Sequence, residues 1–283
     1  MRKAQFLINE ARMNTNTTDC ESITDYLCVS FLNRAQEFIQ AYLFTQNIEA
    51  KIFRKSYVLT TSQGVESYDL PLDVYAKNSI NNVMYKNGDA YSPMKQIAEK
   101  ARGTTNGYFL SDSSIVLSPM PQFTQSLNIS YTRRLPSMSL VYGTITGIVD
   151  DVKILVAIGP EDTPMESLDD KFCVIGTDGT IVASHLPIIQ DGDDLLVSDT
   201  SLIQVGMLVV IGEYSTTYSQ LPNELESALI MSLEVMINAR MSSKDIKTSK
   251  PVSDEMLAQI GSMFADNTTD SFMPPVVEYS EWV

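Results

Sequence analysis

The chain has 283 residues, 44% of them hydrophobic, and a net charge of −15, an ordinary globular composition with length for about two compact units. Its apolar stretches stop well short of the roughly 20 residues that span a bilayer. Residues 4–8 are too short an apolar run for a secretory signal, so a soluble chain assembled in a reducing cytosol is expected. The acidic balance repels phosphate backbones and excludes nucleic-acid binding through a broad basic face. Cys20, Cys28 and Cys173, an odd count without C-x-x-C spacing, exclude both a disulfide framework and a zinc site.

Charge divides the chain. Residues 1–139 carry 14 basic and 12 acidic side chains, residues 140–213 carry 2 and 13, and residues 214–283 carry 4 and 10. The middle stretch thus reads as a separate unit with its own surface.

Phe6, Leu7, Ile8 and Ala11 form a short amphipathic pattern. Thr18 and Glu21 have capping-box spacing, and Ile23, Tyr26, Leu27, Phe31, Ala35, Phe38, Ile39 and Tyr42 recur at three and four, which predicts a helix of about six turns. From Lys51 the period shortens to that of strands, over 52–59, 67–70 and 80–85. Asn87-Gly88 marks a hairpin, because both central positions of such a turn need positive φ. A second hairpin joins 108–110 to 115–117, and 127–133 returns as another strand.

Residues 140–213 show no helical pattern. Short strands at 144–149, 153–158, 172–175, 180–183, 195–197 and 208–211, with Asp178-Gly179 among the turns, predict a small β-sandwich or barrel. Helices return after Pro222, with Leu225, Leu229, Ile230, Leu233, Met236 and Ile237 on one face, and after Pro251, with Met256, Leu257, Ile260, Met263 and Phe264. Beyond Asp270, Phe272-Met273-Pro274-Pro275 opens an extended tail that carries Val276, Val277, Tyr279 and Trp282 without a periodicity that would bury them.

Catalytic chemistry finds little support. His185 is the sole histidine, so a multi-histidine metal centre is excluded, and a serine triad would depend on His185 with no nucleophile-elbow sequence near it. Asp150-Asp151, Glu161-Asp162, Asp169-Asp170 and Asp191-Gly192-Asp193-Asp194 supply carboxylates, but adjacent acids on a strand face opposite ways and none of these runs has EF-hand order. Solvated turns are the simpler reading. No glycine run with a following lysine cradles phosphate, and no cofactor, metal or enzymatic activity is expected. Met231, Met236, Met241, Met256 and Met263 read first as core filling.

The order of elements carries a resemblance. Gly107-Tyr108-Phe109, the run from Ile115 through Val116, Leu117, Ser118 and Pro119 to Met120-Pro121, Ile129-Ser130-Tyr131-Thr132-Arg133-Arg134-Leu135-Pro136, and Leu221-Pro222-Asn223-Glu224-Leu225-Glu226 opening a helix together resemble the head-to-tail adaptor family of tailed, in particular short-tailed, bacteriophages. The likeness runs over 1–139 and 218–266, with 140–213 standing apart as a β insertion.

The resemblance implies a helical bundle from the N- and C-terminal helices with a β-hairpin or sheet extension, and with the β insertion read from the residues the expected fold is α+β with an inserted small all-β domain. The expected division is 1–139, 140–213 and 214–271, followed by a docking tail at 272–283. The implied role is a non-enzymatic virion protein of the neck, assembled in the host cytoplasm as a homo-oligomeric ring, usually dodecameric, beneath the portal protein. DNA would pass through the ring without sequence-specific binding, and the chain's acidic surplus suits a channel in which DNA slides without sticking. No membrane is involved.

Two docking surfaces are expected. Phe272, Met273, Val276, Tyr279 and Trp282 would latch onto the portal or a neighbouring subunit, and Asp191, Asp193 and Asp194 on the insertion would receive a tail nozzle or fibre protein. The competing reading is a fibre-like or carbohydrate-binding adhesion module, for which 140–213 offers only Tyr142 and Phe172 as aromatic platform residues.

Overall fold

The computed structural model describes residues 2–45, 53–76, 79–87, 90–158, 171–191 and 194–242, with residues 253, 257, 258, 260 and 261. Two helices open the chain, α1 (Ala4–Asn14) and α2 (Asp25–Thr45). Thr18 and Glu21 do not start α2. The helix begins seven residues after Thr18, where the Thr24 hydroxyl accepts the Leu27 amide at 3.2 Å in the manner of an N-cap.

Two small sheets follow. Strands β1 (Arg54–Thr60), β3 (Ile80–Asn87), β4 (Ala90–Pro93) and β7 (Ser126–Thr132) pair in the order β1-β7-β3-β4, while β2 (Ser67–Asp69), β5 (Gly107–Ser111) and β6 (Ser114–Ser118) pair as β2-β6-β5. Leu59, Val83, Tyr108, Ile115, Leu117, Leu127, Ile129 and Tyr131 from these two sheets close one core between them. The strand alternation predicted this burial, since inward residues of β7 fall two apart at Leu127, Ile129 and Tyr131. In the predicted hairpin, Asn87 pairs with Ala90, which puts the turn at residues 88 and 89, outside the described residues.

The largest sheet lies in the middle of the chain. Strands β9 (Val141–Val149), β10 (Lys153–Ala157), β11 (Lys171–Ile175), β12 (Ile181–Pro187), β13 (Gln190–Asp191), β14 (Asp194–Leu196) and β15 (Leu208–Ile211) form seven antiparallel strands in the order β12-β11-β15-β9-β10-β14-β13. Tyr142, Ile145, Ile154, Phe172, Val174, Leu195 and Val209 build a core on one face. Cys173, Ile175 and Val210 build another on the other. The two-residue strands β8 (Ser137–Met138) and β16 (Ser215–Thr216) pair in parallel, so the chain entering this sheet and the chain leaving it run side by side.

Helix α3 (Asn223–Met241) then packs on α1 and α2. Of the second C-terminal helix, residues 257, 258, 260 and 261 are described as helical, and Leu257 and Ile260 are buried against the other helices.

The expected architecture is corrected here. A helical bundle with a β extension and a small insertion is not what forms: among the described residues strand content exceeds helix content, only three α-helices are described over their full length, and several sheets carry separate cores. The reason lies in the helical layer's own core. Phe53, Leu135, Met138 and Leu140, none of them on a helix, complete the cluster that α1, α2 and α3 bury, so the helices do not seal themselves. Periodicity reports which face of each helix is covered, and is silent on whether a helix or a strand covers it.

Candidate functional site

Helix α2 carries three amide side chains, Asn33, Gln36 and Gln40, at spacing i, i+3 and i+7, which places them on one face. That face meets the segment 133–138, which runs from the end of β7 through β8. Gln40 donates to the Arg133 carbonyl at 3.1 Å and accepts the Leu135 amide at 3.4 Å. Gln36 donates to the Pro136 carbonyl at 2.9 Å, and Asn33 both donates to the Met138 carbonyl and accepts its amide, at 2.9 and 2.6 Å. Segment 133–138 is thus held as a neighbouring strand would hold it, by side chains instead of backbone.

The other side of this segment is polar and charged. Asp73, 3% exposed, accepts the Tyr131 hydroxyl and the Lys55 ammonium, each at 2.7 Å. Burial first, and the bond to Asp73 second, raise the Tyr131 phenol far above its ordinary value. Tyr214 is pushed up to about 12, again chiefly by burial. The Arg134 guanidinium lies over the Tyr214 ring, 5.6 Å from its centroid.

Between α2, segment 133–138 and the seven-stranded sheet runs a groove with a cavity volume of about 790 Å³. Tyr26, Glu37 and Ala41 line it from α2; Tyr75, Arg134 and Tyr214 line it from the β side. Its size falls in the range of ligand sites, and its walls mix aromatic rings with hydrogen-bonding groups. At its edge Glu213 takes Lys171 at 2.9 Å and His185 Nδ1 at 2.8 Å, while the Lys171 ammonium lies 2.6 Å from His185 Nε2. Lys171 is the main reason the Glu213 carboxyl sits below its usual range.

Residues 3–158, more than half of the chain, match the SU10 adaptor protein family. The chain belongs to that family. It is a phage structural adaptor, a component of the virion that contacts other virion proteins. No curated protein matches the chain. The family match runs through α1, α2 and the two small sheets, covers Asn33, Gln36, Gln40 and Arg134, and ends after β10.

The adaptor's predicted site residues fall in different places. Asp194 is on β14 and pairs with Lys153 of β10 at 3.0 Å, and Asp191 is on β13. Asp193 and the tail residues Phe272, Met273, Val276, Tyr279 and Trp282 lie outside the described residues. Asp150 and Asp151 occupy adjacent left-handed positions in the β9-β10 turn, closed by the Val152 amide on the Val149 carbonyl at 3.2 Å. His185, also at positive φ, contacts Lys171 and Glu213 and holds that cluster together. Among the described residues no group of three or more His, Cys, Asp or Glu side chains is arranged to hold a metal, and no helix is long and apolar enough to cross a membrane.

Sequence reasoning missed the amide row on α2 and the groove beside it. One signal was available: Gln36 and Gln40 fall on the same face as Leu32, Ile39 and Leu43, where the apolar pattern calls for hydrophobic side chains.

Proposed function

We propose that this adaptor assembles as a closed ring, most simply a dodecamer, that joins the portal of the filled capsid to the tail and surrounds the DNA exit channel. The observation that carries the reading is the family match, taken with the apolar side chains left on the outer helical faces: Phe6 and Met13 on α1 and Met231 and Val235 on α3 are each about half exposed or more. Neighbouring subunits in a ring would cover them.

In this reading 1–139 and 214–271 form the ring body and 140–213 an appended acidic unit that receives a tail nozzle or fibre protein around Asp191, Asp193 and Asp194. The segment 272–283 is the latch to the portal or the adjacent subunit. Ordering its twelve residues costs roughly 12–24 kcal/mol and burying its six large apolar side chains returns roughly 9–18, so one tail is close to balance and many on one ring become a strong joint. The parallel β8·β16 pair brings the two ends of the acidic unit together, which makes its removal a fair test.

Electron microscopy and native mass measurement of the chain, alone and with portal, test the proposal. Rings of about a dozen copies support it, and a chain that stays monomeric on portal overturns it. With 140–213 replaced by a short glycine linker, rings should still form and attachment of the next tail component should be lost. Truncation after Asp270 should lower occupancy on portals. The adhesion reading loses its footing, because Tyr142 and Phe172 are core residues at 3% and 0% exposure and present no ring to a sugar.

A further inference from the structure

We infer that the groove beside α2 is the resting site of the chain's own C-terminal segment, residues 272–283. This goes beyond the ring proposal and does not depend on it.

The first support is where the described chain leads. Leu257 and Ile260 pack into the helical core, and Gly261 approaches α2 so closely that a Cβ there would lie 2.8 Å from the Tyr42 hydroxyl. Tyr42 follows Ala41, which lines the groove, but packs on the helical core from another face of α2, so the tail would pass round the helix end to reach the groove. The chain therefore heads for its last residues from one end of the helix that forms the groove wall. The spacer 262–271 reaches about 33 Å when extended, enough to enter the groove from that end.

The second is chemistry. Pro274-Pro275 is the sole Pro-Pro pair in the sequence, and Met273, Val276, Val277 and Tyr279 flank it. Such a segment favours the polyproline II helix, which loses little entropy on binding and docks in grooves walled by aromatic rings. Tyr26 and Tyr75, at 47% and 44% exposure, line the groove together with Tyr214, whose ring lies 5.6 Å from the Arg134 guanidinium. From Tyr26 to Ala41 the helix runs about 22 Å. Seven residues of polyproline II, 273–279, span about the same length.

The third is charge. Residues 262–283 carry Asp266, Asp270, Glu278 and Glu281 and no basic side chain. Arg134 is the cation among the groove's lining residues; Glu213 is engaged chiefly by Lys171 and His185 and more weakly by Arg134, and Glu37 sits on the α2 wall. Arg134 is therefore the partner for Glu278. Tethering supplies the local concentration that lets a weak peptide contact hold within one chain. The arrangement keeps the apolar tail covered until another surface competes for it.

Trp282 is the only tryptophan, so its fluorescence reports on the tail alone. In the full chain without portal, acrylamide should quench Trp282 several-fold less than it quenches a peptide of residues 262–283, and the protection should be unchanged on dilution. Tyr26→Ser with Tyr75→Ser should raise quenching to the peptide's level. Arg134→Glu should do the same, and Glu278→Arg added to Arg134→Glu should restore protection, a rescue that a misfolded chain would not give. Quenching of the unaltered chain at the peptide's level overturns the inference, as does protection that survives the groove substitutions. Protection lost on dilution also overturns it, since the tail would then be held by a second copy.

Discussion

Asn33 grips the backbone of Met138 in both directions, donating to its carbonyl at 2.9 Å and accepting its amide at 2.6 Å across 105 positions of sequence. This one side chain joins the helical layer to the entry of the largest sheet. Asn33→Ala leaves both backbone groups of a buried residue unmatched, at a cost of roughly 1–3 kcal/mol. Asn33→Asp keeps the acceptor but turns a carboxylate oxygen toward the Met138 carbonyl, and should cost more. Urea denaturation of the two variants checks the order.

Tyr131 and Tyr214 make stability sensitive to high pH. Both phenols have raised values in the folded chain, by burial in the first place, with Tyr214 at about 12 against an ordinary 10.0. A raised folded value favours the neutral form, so the stabilisation is complete below pH 10 and is lost as pH climbs toward the folded values. The urea midpoint should hold up to about pH 10 and then fall. Tyr214→Phe should flatten that fall. Tyr131→Phe should flatten it too, and should also lower the midpoint at neutral pH, because Asp73 loses a bond it makes in a buried place.

Gly107 is a packing requirement. A Cβ there would lie 2.3 Å from the Lys95 carbonyl oxygen and 2.8 Å from Ile97 Cγ2, and that carbonyl already accepts the Tyr108 amide. Gly107→Ala should force the 95–97 segment off β5 and cost roughly 1–3 kcal/mol, read as a drop in thermal midpoint.

The acidic pair in the β9-β10 turn is a matter of backbone. Asp150 and Asp151 have φ of 51° and 55°. Asp151→Gly should leave stability unchanged or slightly higher, whereas Asp151→Val, a branched side chain in a left-handed position, should cost about 1–2 kcal/mol. Equal effects of the two substitutions in thermal unfolding would show that the turn geometry is not what holds these residues.

Much of the chain's local structure is written in its residues. The six-turn pattern along α2, the alternation along β7 and the Asp178-Gly179 turn, with Gly179 at φ 86°, all appear where spacing and turn chemistry put them. The start of α2 is not legible in this way: Thr18 and Glu21 have capping spacing, while Thr24 supplies the cap. Strands of two residues, β8 and β16, leave no periodicity to detect. Gln36 and Gln40 look out of place on a buried helix face until their partners, the carbonyls of residues about 100 positions away, are known.

Period and turn residues by themselves determined much of the local helix and strand pattern, and the order of residues carried the likeness to phage adaptors, because these depend on neighbours within a few residues. Only the tertiary structure decided that residues outside the helices close the helical core, that α2 clamps segment 133–138 and that a groove lined by tyrosines opens beside it. Each of those is a contact between residues far apart in the chain, and side-chain hydrogen bonds over such distances leave no periodic trace in sequence.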